Sequence, residues 1–143
     1  MRIFGIKGVE YEKVKEHLKG TEAAVMSASK VFGTIHVETA AMHATRSFKN
    51  GTNRSKTFVT EFLLYMAGER QISKALSLMT PAGKEDIVAV IFDDAQIPPE
   101  LEKKRNDSVI AGNEKKAKIM GLNGTSCEDL VLEMVAFTDI LKN

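Results

Sequence analysis

The stretch Thr57 to Met79, TFVTEFLLYMAGERQISKALSLM, constrains this chain more than any other, because it sets an almost wholly apolar helix against a charged break. Phe58, Phe62, Tyr65 and Met66 recur at helical spacing, and Val59, Leu63, Leu64 and Ala67 fill most of the remaining surface. A helix that is apolar nearly all round must be covered on nearly all sides, so this one belongs at the centre of the fold. Gly68 follows it, where a left-handed backbone costs glycine little. The chain then restarts as a shorter helix with Ile72, Ala75, Leu76 and Met79 on one face and Ser73, Lys74 and Ser77 on the other. Glu69, Arg70 and Gln71 lie between two docked helices, and a junction held in this way can present donors to a ligand.

The chain of 143 residues suffices for one domain with a real core, and residues 1–143 are read as a single unit. Arg2 to Ile6, Ala23 to Ser29, Ile87 to Phe92 and Val109 to Ala111 read as strands, the third being an unbroken apolar run suited to the middle of a sheet. Helices are expected over Tyr11 to Leu18, from a cap at Thr34 to about Asn50, in the two halves of the central segment, from about Asn113 to Met120, and from a Thr125–Glu128 capping box to near the carboxyl terminus. Asp93 to Asp107, with Pro98–Pro99 and a helical turn or two from Glu100, reads as the mobile connection. The regular alternation and glycine-rich turn of a dinucleotide fold are missing. The expected fold is α/β or mixed α+β, a sheet of about four short strands covered by several helices.

Twenty basic and 19 acidic side chains leave a net charge of +1, which argues against bulk electrostatic coating of nucleic acid but leaves room for a local site. One cysteine, Cys127, rules out an intrachain disulfide and fits a reducing cytoplasm. The amino terminus lacks the plan of a signal peptide, and the Phe58 to Gly68 run is shorter than a membrane span. His36 and His43 are seven apart, whereas paired zinc ligands on a helix sit four apart, so neither a metal nor another cofactor is expected. Gly5-Ile6-Lys7-Gly8 matches the GXXG of RNA-binding KH domains but follows a strand, and reads as an ordinary turn.

Two regions carry binding signals. Between Thr39 and Thr60 there is no acidic residue, while Arg46, Lys49, Arg54 and Lys56 gather round Asn50-Gly51-Thr52-Asn53, a loop suited to phosphate. Asn53 and Ser55 can cap the helix that follows. On the helix before it, His36, Ala40, His43 and Ser47 form a line of small and imidazole side chains that a partner could approach. From composition alone this segment also reads as a solvated helix end. The last helix shows two apolar stripes, Leu130, Met134, Phe137 and Leu141, and beside it Val131, Val135 and Thr138. One core needs only one of them, although a small domain can bury both.

The apolar helix followed by GERQI-x-KAL resembles the smallest subunit of the KEOPS complex, the PRPK-binding protein family of archaea and eukaryotes. Val31-Phe32-Gly33 leading through His36 into Ala40-Ala41-Met42-His43-Ala44, the strand DIVAVIFD at Asp86 to Asp93, and the closing helix follow in the family's order. The resemblance implies a non-catalytic subunit of the machinery that installs threonylcarbamoyl on the adenosine beside the anticodon of ANN-decoding tRNAs. It implies binding of the tRNA CCA end, with Arg46, Asn53, Arg54, Lys56, Arg70, Gln71, Ile72 and His43 as the candidate residues, the basic loop and the junction bordering one groove. Arginine suits phosphate or base stacking, and glutamine reads a base edge. It also implies docking of the small atypical PRPK-type kinase, with Val131, Val135 and Thr138 as the candidate face, and indirect association with the threonylcarbamoyl transferase subunit. The rivals are a protein-only adaptor and a small enzyme using His36 and His43 with Glu38 or Glu61; against the enzyme stands the lack of any spacing that fixes acid and base roles.

Overall fold

The computed structural model describes residues 1–124 and 126–142. Three antiparallel strands, β1 (Arg2–Ile6), β2 (Ala23–Ser27) and β3 (Ile87–Ile91), form one sheet in the order β1-β3-β2. The central strand is the apolar run Ile87 to Ile91, as its composition predicts. It is unbroken although the sheet is antiparallel, because both faces are covered. Val88 and Val90 enter the core beneath the helices on one side; Ile87, Ala89 and Ile91 enter a second core with Phe4, Ile6, Val14, Leu18 and Leu101 on the other.

The second core lies under two short helices, α1 (Tyr11–His17) and α5 (Pro99–Glu102). Fully buried Leu101 pins the Asp93–Asp107 connection that composition marks as mobile. The larger core is built by α2 (Thr34–Lys49), α3 (Phe58–Ala67), α4 (Ile72–Met79) and α7 (Cys127–Lys142), with α6 (Glu114–Ile119) at one end. The mixed α+β class is as expected; the strands among the described residues number three instead of about four. Val109 and Ile110, expected in a fourth strand, lie in a 3-10 turn, Asp107–Ile110. The Asn106 side chain caps that turn at the Ser108 amide, and Asp107 accepts from the Gly5 amide, so backbone pairing stops at a single bridge, Ile6 to Arg105. Residues 104–107 thereby strap the outer edge of β1. A Cβ at Gly5 would collide with the Asn106 carbonyl, so glycine is required for that approach.

α2 departs from its reading as a helix with a face open to a partner. Val37 and Ala44 are buried, and so are His36, Ala40, His43 and Ser47, the line assigned to an incoming partner. Their small size admits α3 and α7 of the same chain. α3 is central, as predicted, and ends at Gly68 with φ 67°, whose αL conformation closes the helix by bonds from Gly68 and Glu69 amides to Tyr65 and Leu64 carbonyls. Gly68 has a second role: a Cβ there would strike Met134 of α7. The cap of α3 is Thr57, which accepts from Thr60; of the expected caps, Asn53 donates to the Ser55 carbonyl, and the Ser55 hydroxyl is buried with no hydrogen-bond partner among the described residues. Thr34 is the first residue of α2, after Gly33 at the cap. The expected cap at Thr125 lies outside the described residues.

Candidate functional site

Where α2, α3 and α7 meet, the core turns polar. Glu61 sits in the apolar helix α3 with no exposure, and such a carboxylate survives only if fully bonded. Its Oε1 accepts from the Arg54 and Ser55 amides at 3.0 Å each, while Oε2 accepts from the Ser47 hydroxyl at 2.9 Å and from the Lys142 ammonium. Burial alone would push this carboxyl up; the bonds from Lys142, the Ser55 amide and Ser47 outweigh it and hold the group below its ordinary value. Lys142 also donates to Tyr65 Oη at 2.7 Å, and Tyr65 donates to Asp139. Burial, the Asp139 bond and the nearby carboxylates raise the tyrosine, which therefore stays a neutral donor. Asp139 Oδ2 lies 2.8 Å from His43 Nδ1, and the Arg46 guanidinium lies against the same ring. The Arg46 terminal nitrogen lies 3.1 Å from Nδ1 and 3.4 Å from Nε2, over the face of the imidazole.

This network fastens the last turn of α7 to the loop before α3. Arg54 Nε adds a bond to the Lys142 carbonyl at 2.8 Å. The guanidiniums of Arg46 and Arg54 stay on the surface, and Arg46, Asn50, Thr52 and Asp139 border a small cleft of about 210 Å³. Arg46, Arg54 and Lys56 are thus presented at one end of α3, with Asn53 folded back on Ser55 O. His43 is 8% exposed and bonded within the protein, so it supports Arg46 and offers little surface of its own. Arg70, Gln71 and Ile72 are exposed at the opposite end of α3. Ten helical residues at 1.5 Å each separate the groups by about 15 Å. The single groove expected from sequence is therefore two separate places. Ile72 and Leu76, read as core, are 37% and 39% exposed, leaving Ala75 and Met79 to anchor α4.

The two stripes of α7 divide in the reverse of the expected sense. Val131, Val135 and Thr138 are 1%, 0% and 0% exposed and close the larger core, so no partner reaches them without unseating the helix. Residue 142 continues that inner line to the buried Lys142. The outer stripe is the open one. Phe137 and Ile140 are 53% and 66% exposed, and with Leu130, Met134 and Ala136 they line a shallow apolar depression of about 560 Å³. Met134 also lines a neighbouring groove with Met66, Leu78, Met79, Ile119 and Met120, so the apolar surface continues from α7 onto α4 and α6. Contiguous apolar surface rimmed by charge marks a docking face.

Among the described residues no group of three or more metal-ligating side chains is placed to hold an ion, and no helix is long and apolar enough to cross a membrane. The fold is that of a small α+β domain whose outward apolar helix face is its main uncovered surface of this kind. The family model described as kinase binding protein CGI-121 matches residues 9–138, and the chain belongs to that family. A search of curated proteins finds no match.

Proposed function

We propose that this chain is a non-catalytic subunit of a KEOPS complex, which docks a PRPK-type kinase on the outer face of α7 and recruits tRNA through its CCA end. The observation that carries the reading is Phe137 and Ile140 standing open on a helix whose opposite stripe already closes the core, in a family of kinase-binding proteins. Aromatic and aliphatic side chains clustered in a shallow apolar depression are the usual anchors of a stable interface. The RNA half rests on the family resemblance and on the surface cations. Arg46, Arg54 and Lys56 meet backbone phosphates at one end of α3. At the other, Arg70 stacks or pairs while Gln71 reads a base edge over Ile72. An RNA end continuing out of its duplex spans the intervening distance, so the two places act as separate holds on one tRNA. The chemistry of threonylcarbamoyl transfer belongs to the partners.

Co-purification with the kinase and tRNA binding test the two halves separately. Phe137→Glu abolishes kinase capture while the melt stays unchanged; retained capture refutes the docking face. Trimming the CCA tail weakens tRNA binding at moderate salt; equal affinity for intact and trimmed tRNA refutes recognition of the tail. With about three phosphates neutralised, log affinity falls against log salt with a slope near two. Arg54→Ala flattens that slope, and Gln71→Ala weakens binding without changing it.

A further inference from the structure

At the end of the sheet where β1 leaves, β2 stops and β3 begins, α6 and the 3-10 turn Asp107–Ile110 enclose a half-open cleft of about 530 Å³, which shares Ile119 with the α6 end of the apolar groove. Lys116 lies in its wall with only 8% exposure. The ammonium gives one proton to the Val31 carbonyl at 2.8 Å and a second to the Val109 carbonyl. An ammonium carries three protons, and among the described residues no protein acceptor takes the third. Nearby, Ser27 Oγ and Ser29 Oγ share one hydrogen bond at 2.7 Å, which leaves the hydroxyl of one of them a proton to give. Asn113 spends its side-chain oxygen on the Lys116 amide, so its amino group is a further donor. Lys7 and Lys115 add exposed charge at the mouth. The cleft therefore holds more donors than its own acceptors fill.

We propose that this cleft is a binding site for a small polar molecule carrying a carboxylate or phosphate, with an oxyanion oxygen completing the shell of the Lys116 ammonium. Glu85 and Asp86 line the same cleft, which defines the rest of the ligand. A bare anion reaches the donors and binds, though two carboxylates weaken it, whereas a molecule that also bears hydroxyl or amino protons satisfies both sets of groups and binds more tightly. The favoured class is a hydroxylated or zwitterionic metabolite with one anionic end. Burial, against a weak opposing pull from Asp86, brings the Lys116 ammonium down to about 8, as expected of a cation whose environment lacks a full set of acceptors. An oxyanion there favours the charged form, so binding takes up a proton above that value.

The test uses sulfate, whose charge is constant between pH 7 and 9, at fixed ionic strength, with backbone amide shifts as the readout. Saturable shifts confined to Ser27–Ser29, Asn113 and Lys116 are expected, with affinity roughly tenfold lower at pH 9 than at pH 7, since about nine tenths of an amine titrating near 8 is charged at the lower pH and about one tenth at the higher. Lys115→Ala and Lys7→Ala, both at exposed positions, weaken binding and leave the fold intact, while Lys116→Met abolishes it. Adding glycine or serine as the probe then tests the zwitterion arm. Shifts that do not saturate, that spread over surface lysines, or that match at the two pH values overturn the proposal and describe bulk salt. Should Lys116→Met unfold, the Lys7 and Lys115 variants and the pH comparison still decide the matter.

Discussion

Replacing Glu61 by glutamine keeps the shape of the side chain and removes its charge, and the structure indicates how much that costs. The carboxylate accepts four hydrogen bonds. A glutamine oxygen can still take the Arg54 and Ser55 amides, and the Ser47 hydroxyl can turn its proton to the Ala44 carbonyl, but the glutamine amino group then confronts the Lys142 ammonium, a donor with no lone pair. Lys142 is 5% exposed and would be left a buried cation without its counter-charge. Breaking one side of a buried pair costs about 3–5 kcal/mol, most of it the stranded charge. For a chain of 143 residues, with an unfolding entropy of about 2.1 cal/mol/K per residue, that amounts to roughly 10 to 17 °C in Tm. It is a large part of the 5–15 kcal/mol typical of a whole domain. Urea denaturation at pH 7 measures it as a fall in midpoint at constant slope. The double variant Glu61→Gln with Lys142→Met removes the stranded charge and should regain at least about 1 kcal/mol. A Glu61→Gln loss below about 1 kcal/mol, or a double variant no better than the single, would refute the view that this pair holds α7 in place.

Three further outcomes follow from the same packing. Val135→Asp puts a carboxylate into a fully buried position and should collapse the melt outright, which circular dichroism reads directly. His36 is buried with Nδ1 accepting from the Phe32 amide and Nε2 bonded to the Met66 carbonyl; burial brings it from 6.5 to about 4, against the Met66 bond. Its neutral form thus contributes stability fully present above pH 6.5 and lost as pH falls from there to 4, about 3 kcal/mol in all and about 2 kcal/mol by pH 5; an imidazole titrating near 6.5 by NMR would contradict this. Gly5→Ala forces the 104–107 strap off β1 and should cost about 1–3 kcal/mol by chemical denaturation, with faster amide exchange at Lys7 and Asn106.

The elements were legible where one periodicity dominates. β3, α3, the break at Gly68 and the mixed class follow from runs of apolar residues and a glycine, since local pattern and final environment agree. What sequence concealed depends on long-range partners. Glu61 is the one acid inside an apolar helix, a visible sign that a cation must come to it, yet nothing local identifies Lys142, 81 residues away, as that cation. The faces of α2 and α7 were misassigned for a related reason. Alanine, serine, threonine and histidine look permissive from outside, but in α2 they let two helices of the same chain approach closely. In α7 the bulkier stripe stays outside because the smaller Val131, Val135 and Thr138 fit against α2 and α3. The separation of the two groups of residues proposed to meet RNA was readable in principle, since α3 itself measures the distance between Lys56 and Arg70.

The strand order carries a consequence for how the chain acquires its structure. β1 and β2 are early in sequence and never pair with each other; each bonds to β3, which ends at Ile91, and the edge of β1 waits further for residues 104–107. Pairing β1 to β3 closes a loop of more than eighty residues, and such non-local contacts form slowly. During synthesis from the amino terminus, the first two strands therefore emerge with no sheet to join, while α2, α3 and α4 are adjacent in sequence and can associate first. Phe4, Ile6, Ala24 and Met26 stay uncovered through that interval, which makes the growing chain most prone to aggregation before its third strand has appeared.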